Sequence, residues 1–248
     1  MASEDHTSEF NVRGLVVIRD GCTKAQCDTC LSELLKGLDI MMQLPGPMNE
    51  QNPKRHFLKF PVSKSEAVPK EFSHRRDFSM SHSKNTHALL KTIIADSPAG
   101  GVLKDVLGED GELIEMNAII SEPGSKCQNV HADGDFHASA PRILTMFLAL
   151  HDIVDESLGP TRFWPETHSP ECYADKKWVQ PTGERVKGRG DYSWYKLNAG
   201  DAVIMDQCTW HAGGPNTSDR KRTLLSMTFM QGSGNKNSKC YQLNDFLS

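Results

Sequence analysis

His131 and Asp133 stand two residues apart in His131-Ala132-Asp133. In an extended segment, side chains at that spacing project to the same side. The pair can therefore offer an imidazole nitrogen and a carboxylate oxygen to one ion. In a chain with ten histidines the pair is a weak signal by itself, and the Gly134-Asp135 that follows also suits an exposed turn. A later histidine strengthens it: His211 comes after the apolar run Ala202 to Asp206 and then Cys208-Thr209-Trp210, a strand-to-turn context. Two histidines and one carboxylate occupy one face of a divalent ion and leave positions open for a bidentate molecule and oxygen. Zinc uses the same ligands, so the triad does not name the metal. Arg222 stands at the entrance to the apolar run Thr223 to Met230. If that run returns beside the one before His211, its guanidinium can pair bidentately with the far end of a dicarboxylate. With Arg220 and Lys221 beside it, the alternative is a solvated basic turn.

These residues need a scaffold, and the second half of the chain reads as one made of strands. Leu113 to Ile120, Ile143 to Leu150, Thr161 to Trp164, Ala202 to Met205 and Thr223 to Met230 are short apolar segments separated by Gly, Pro, Asn and Asp turns. Leu15 to Ile18 is a further short strand ahead of a helix. That helix opens on a capping box, Thr23 with Gln26, and repeats Cys27, Cys30, Leu31, Leu34, Leu35 and Leu38 along one face, with Gly37 near its end. Cys27 and Cys30 thus read as core packing rather than a redox or zinc pair. Two more helices are expected, over Thr86 to Ala95 and from cap Ser97 and Pro98 to Gly108. The Pro-, Lys- and Ser-rich stretch Asp39 to Ser83 reads as mostly irregular, and the polar stretch Ser169 to Tyr195 as an insertion that can act as a lid. Strands with such turns make a sandwich or small barrel with helices packed outside.

Composition narrows the function classes. With 248 residues, 38% of them hydrophobic, one domain over 1–248 is expected. A net charge of -4 argues against a nucleic-acid partner and favours a small-molecule substrate. No apolar stretch approaches membrane-spanning length, and the N-terminus lacks a secretory pattern. Seven scattered cysteines suit reduced thiols and a cytoplasmic location. Oligomeric state is open, a homodimer being one option.

Three segments, Pro123 to Asp133 (PGSKCQNVHAD), Leu158 to His168 (LGPTRFWPETH) and Gly200 to Leu224, carry a resemblance, with a fainter one in GLVVIRDG near the N-terminus. They resemble the phytanoyl-CoA dioxygenase-like branch of the iron(II)/2-oxoglutarate oxygenases. The resemblance implies a mainly β fold with flanking helices, a double-stranded β-helix (jelly roll, cupin-like). It implies Fe(II) held by His131, Asp133 and His211, and 2-oxoglutarate held at its distal carboxylate by Arg222. Gln128 and Thr161 match positions that contact 2-oxoglutarate in some members, and Arg75 or Arg76 is a candidate for another contact. The implied reaction consumes O2 and 2-oxoglutarate, releases succinate and carbon dioxide, and by default hydroxylates a C–H bond. The usual Pro-Gly-Ser-His of the family is here Pro165-Glu166-Thr167-His168.

Two alternatives come from other classes: a zinc-dependent hydrolase on the same triad, with Asp135 or Glu166 as base, and a non-catalytic β-helix binding module. Asp135, His137, His151 and His168 are otherwise read as structural, Trp210 as core, and Asn216 as shaping its turn. Halogenases that resemble this family lack the carboxylate ligand, and Asp133 is present. The expected product of the unmodified protein in chloride buffer is therefore oxidised and not chlorinated; mass spectrometry showing a chlorinated product would refute this.

Overall fold

The computed structural model describes residues 2–43, 74–80, 83–134, 140–173, 186–232 and 241–246. In chain order these form α1 (Ala2–Arg13), β1 (Leu15–Ile18), α2 (Lys24–Gln43), β2 (Arg75–Ser79), α3 (Lys84–Lys91), α4 (Pro98–Leu107), β3 (Glu112–Ser121) and β4 (Ile143–Ala149). They continue with β5 (Thr161–Trp164), β6 (Ala202–Asp206), β7 (Trp210–Gly213), β8 (Arg222–Met230) and β9 (Tyr241–Gln242). A π-helical turn, Thr92–Asp96, follows α3. The major sheet runs β1-β6-β4-β8-β3-β2, with β9 also on β3, and each pairing is antiparallel. The minor sheet pairs β5 with β7. Single bridges widen it, from His131 to His211 and from Phe163 to Ser193. This is the expected jelly-roll fold with helices on one side.

Side-chain alternation explains why one sheet can serve two environments. Leu225, Met227 and Phe229 of β8, Leu144, Met146 and Leu148 of β4, and Met116, Ala118 and Ile120 of β3 join Leu34, Leu89, Ile93 and Leu103 from the helices in one buried cluster. The intervening residues face the other way. Phe147, Val203, Met205 and Leu224 form a second apolar cluster with Phe163 of the minor sheet, and Arg222, Ser226, Thr228, Thr145 and Asn117 line an open cavity between the sheets.

The helices follow their local chemistry. Thr23 and Gln26 make the expected capping box, with Thr23 N–H donating to Gln26 Oε1 at 3.0 Å and Gln26 N–H to Thr23 Oγ1 at 3.3 Å. Cys27 and Cys30 are buried in the helix–sheet core. Gly37 does not end α2, which continues to Gln43. α4 opens on Ser97 and Pro98 and stops at Gly108, as expected. Besides the two-residue β9, three elements depart from the sequence reading. α1 has no strong apolar period and is docked through the fully buried Phe10. β2 lies within the stretch expected to be irregular, because the edge of β3 supplies its backbone partners. β7 forms where a turn was expected, held by β5. Residues 44–73 and 81–82 of that irregular stretch, and the middle of the expected lid (174–185), lie outside the described residues.

Two residues share a left-handed backbone in the turns beside β1 and β5. Gly14 (φ 73) joins α1 to β1, and its carbonyl accepts from Asp206 N–H at 2.8 Å and Thr209 Oγ1 at 2.8 Å. A Cβ there would lie 2.4 Å from His168 Nδ1 and 2.6 Å from Thr209 Oγ1. Glu166 (φ 66) takes the same left-handed conformation with a side chain, in the position where the resembled motif has glycine. The turn still works: Thr167 Oγ1 donates to Trp164 O at 2.6 Å and accepts from Trp210 N–H at 2.8 Å, anchoring β7 beside His211.

The two positions should respond with opposite signs. Gly14→Ala is expected to destabilise by at least the ~1–2 kcal/mol of left-handed backbone, because the overlap adds to it. In Glu166→Gly, relief of the same strain is offset by about 0.5–1 kcal/mol of extra chain entropy, leaving stability unchanged or slightly raised. Urea denaturation of both variants tests this; a loss above about 1 kcal/mol in Glu166→Gly would show that its conformation is not strained.

Candidate metal centre and anion pocket

His131 and His211 are brought together by backbone first. They exchange reciprocal hydrogen bonds, His131 N–H to His211 O at 2.9 Å and His211 N–H to His131 O at 2.8 Å, and their rings lie 4.3 Å apart. Asp133 is fixed one step further by its N–H to Gln207 O at 2.9 Å. Each ring uses Nδ1 locally: His131 Nδ1 lies 2.9 Å from Asn129 O and His211 Nδ1 lies 3.0 Å from Thr209 O. As Nδ1–H donors to those carbonyls, both imidazoles present a bare Nε2, the arrangement that orients histidine ligands.

The Nε2 atoms are 3.8 Å and 3.7 Å from Asp133 Oδ1, and the three ligand atoms lie within 4.8 Å of one another. Metal bonds to such ligands are about 2.0–2.2 Å, so one ion can reach all three. Burial, then the neighbouring His211, push the His131 imidazole down to about 4. It is neutral at pH 7 with its lone pair available. Among the described residues this is the group of histidines, cysteines and carboxylates with the geometry to hold a metal.

The cavity beside the triad measures about 440 Å³ and is lined also by Arg222, Arg75, Gln128 and Thr161. Arg222 is 1% exposed. β8 puts its even-numbered residues on the cavity side, which takes Arg222 out of the basic turn where Arg220 remains exposed. Arg75, 2% exposed, donates from Nη2 to the carbonyls of Lys126 (2.8 Å), Gly213 (3.1 Å) and Gly214 (2.6 Å). Both stand opposite Ser121, one on each side of β3. Among the described residues neither has a carboxylate partner, and the Nε of each is unpaired. Burial, then repulsion from Arg75, push Arg222 down to about 9; burial pushes Arg75 down to about 10. Both stay cationic at pH 7. Two buried cations without an anion are costly, and a ligand carboxylate would relieve both.

Gln128 and Thr161 complete this wall. Gln128 Oε1 accepts from Gly213 N–H at 2.8 Å, and Thr161 pairs with Gly213 across the minor sheet. Gly213 has no room for a side chain: a Cβ would sit 2.5 Å from Gln128 Oε1 and 2.6 Å from Arg75 Nη1. Of the two arginines offered by the sequence, Arg75 is the one beside Arg222. Arg76 is ion-paired with Glu122 at 3.2 Å.

The remaining candidates have structural tasks. His151 Nε2 accepts from Thr223 N–H at 2.9 Å, and His168 Nε2 lies 3.2 Å from Asn11 O. Trp210 is buried with Trp164 and Cys172 below the ligands. Asn216 Nδ2 donates to Ser121 O at 2.8 Å and Arg220 O at 2.7 Å, which holds the turn before β8. Asp135 and His137 lie outside the described residues. Glu166, the other base nominated for a hydrolase, does not line the cavity.

Among the cavity residues that the sequence did not single out, Asn117 stands apart. It is 4% exposed with Oδ1 unpaired, a situation that costs a buried polar group about 1–3 kcal/mol. Its signal was present as a polar residue at an alternating position inside an apolar strand.

Comparison with known proteins gives the family. The profile of the phytanoyl-CoA dioxygenase (PhyH) family matches residues 10–224. The iron/alpha-ketoglutarate-dependent dioxygenase ausO of Aspergillus calidoustus is 29% identical over 117 residues, 42% of this chain and 37% of that protein. The epimerase SnoN from nogalamycin biosynthesis, in complex with Fe3+, alpha ketoglutarate and nogalamycin RO, superposes with a TM-score of 0.65 at 16% identity, over 93% of this chain and 84% of that one. The alpha ketoglutarate-dependent carbocyclase SnoK gives 0.64 at 16% identity, over 94% and 88%. At such identities these structures speak for the fold. The match of the family profile over most of the chain assigns this protein to the phytanoyl-CoA dioxygenase (PhyH) family.

Proposed function

We propose that this chain is a single-domain iron(II)- and 2-oxoglutarate-dependent oxygenase that hydroxylates a C–H bond of a small or medium-sized organic molecule. The observation that carries the reading is a juxtaposition. Three ligand atoms that one ion can bridge lie in the same cavity as two buried guanidinium groups lacking a carboxylate partner among the described residues. A hydrolytic zinc site gives that cationic pair no task, whereas a dicarboxylate bound at the metal occupies both features. SnoN, whose structure holds Fe3+ and alpha ketoglutarate, shares the fold.

In this reading His131, Asp133 and His211 hold the metal, with the two Nδ1–carbonyl contacts keeping the imidazoles in the coordinating tautomer. Arg222 clamps the distal carboxylate of 2-oxoglutarate, and Arg75 adds its charge from across β3. Gln128 and Thr161 close the wall around the cosubstrate. Iron(II) with 2-oxoglutarate supplies oxygen activation, with succinate and carbon dioxide as the co-products. The protein supplies orientation. Phe147 and Phe163, with rings 6.2 Å and 6.5 Å from that of His211, provide the apolar side of the site.

The ligand assignment predicts that His131→Ala, Asp133→Ala or His211→Ala each abolishes oxygen-dependent succinate formation while the fold persists. Iron affinity and succinate formation unchanged in Asp133→Ala would exclude it.

Arg222→Met should have two effects in opposite directions. Removing one partner of a buried charge pair costs about 2–5 kcal/mol, so 2-oxoglutarate binding should weaken more than tenfold. The ligand-free protein should be equally or more stable, because an unpaired buried charge is replaced by an apolar chain. Arg222→Lys should bind with intermediate affinity, and Arg220→Met should match the parent. Anaerobic titration of 2-oxoglutarate into iron-loaded protein, followed by charge-transfer absorbance, measures the first effect, and thermal unfolding the second. Parent-like 2-oxoglutarate affinity in Arg222→Met would remove the anchor from this residue.

A further inference from the structure

Asn117 sits mid-strand in β3, opposite Ser226 of β8. Ser226 in turn opposes Phe147 of β4, whose ring is the one lying 6.2 Å from that of His211. Asn117 therefore belongs to the row of the major sheet that faces the metal ligands. Arg222 is four residues away along β8, at the opposite end of the cavity wall. Beyond Asn117 the wall continues through Thr145 and Thr228, which oppose each other across β4 and β8, towards Ile114 and Ile143. The side chain of Asn117 lines the cavity, is 4% exposed, and leaves Oδ1 without a partner. A buried amide normally has its hydrogen bonds made. This one projects into the cavity at the level of the candidate metal ligands and past the cosubstrate anchor, in a stretch of wall where the hydroxyls of Thr145, Ser226 and Thr228 alternate with the apolar Ile114 and Ile143 and with Glu115.

We propose that Asn117 is a substrate-binding residue and that the substrate is a small molecule bearing hydroxyl, amide or amine groups, one of which hydrogen-bonds to Asn117. This rests on the oxygenase reading of the site. An acyl chain in the same place would set the amide and the hydroxyls of Thr145, Ser226 and Thr228 against hydrocarbon, leaving them unpaired. A polar molecule exchanges its water hydrogen bonds for theirs, and its loss of affinity on truncation is large because the site's own groups are then stranded.

The test uses the full-length protein and Asn117→Leu. An amide retained for a ligand is dispensable for folding, so the leucine variant is expected to unfold at the parent's temperature or above. Anaerobic titration of 2-oxoglutarate should give affinities within twofold of the parent. Calorimetry on the iron- and 2-oxoglutarate-loaded protein under anaerobic conditions then compares three polar probes (methyl β-glucoside, 2-deoxystreptamine and N-acetylglycinamide) with octanoyl pantetheine. At least one polar probe is expected to bind the parent and to lose tenfold or more in the variant, while the octanoyl probe binds the parent no more tightly than that one.

A fall in unfolding temperature of more than about 3 °C, roughly a kcal/mol for a chain of this length, would make Asn117 structural. A tenfold loss of 2-oxoglutarate affinity would move Asn117 to the cosubstrate site. A parent that binds no polar probe, or binds the octanoyl probe more tightly, would overturn the substrate class. Failure of the underlying reading is separate: a parent that does not bind 2-oxoglutarate in the first titration.

Discussion

The buried charge of Arg222 is the constraint around which the pocket is arranged. A guanidinium that is 1% exposed, with no acid partner among the described residues, is tolerable only where the surrounding packing is secure enough to carry it. That security comes from β8, which pairs with β4 on one side and β3 on the other and sits at the centre of the major sheet. Its odd-numbered residues from Leu225 to Phe229 are sealed under the helices, so the even-numbered ones have no choice but the cavity. The apolar burial that stabilises the sheet thus also holds the charge in place.

The candidate metal ligands depend on a second, smaller device. β7 and the segment at His131 are too short to be stable by themselves. The reciprocal pair between His131 and His211, the pairing of β7 with β5, and the Thr167 hydroxyl under Trp210 tie them into one patch. Because the same patch carries Gly213, it also touches Gln128 and Arg75. Ligand geometry and anion pocket are therefore coupled through one short strand.

The cavity divides by chemistry along its length. Guanidinium groups occupy one end, imidazoles and a carboxylate face its middle, and hydroxyl and amide groups continue beyond among Ile114, Ile143 and Glu115. A scaffold of this kind leaves reaction outcome to the placement of the bound molecule, which is consistent with the different reactions named for SnoN and SnoK on a similar fold.

Several features were readable from the chain itself, because they depend on local spacing. β1 and β5 fall where the apolar runs place them, and α4 stops where Ser97, Pro98 and Gly108 mark its ends. His131, Asp133 and His211 could be grouped as candidates from residue type and context, and Arg222 from its place at the start of an apolar strand, although that strand pairs with β3 and β4 and does not return beside the one before His211. What spacing could not decide was which neighbours each element would meet. β2 and β7 exist because strands distant in sequence offer them backbone partners, and α1 because Phe10 finds a site in the core. Asn117 looks ordinary in the sequence, and Arg75 stands out there only jointly with Arg76. Only the side-by-side pairing of β2, β3 and β8 turns Arg75 into a second buried cation beside Arg222 and Asn117 into an amide whose unpaired oxygen faces the candidate metal ligands. Burial and the absence of a partner are properties of the packed molecule, and no local pattern records them.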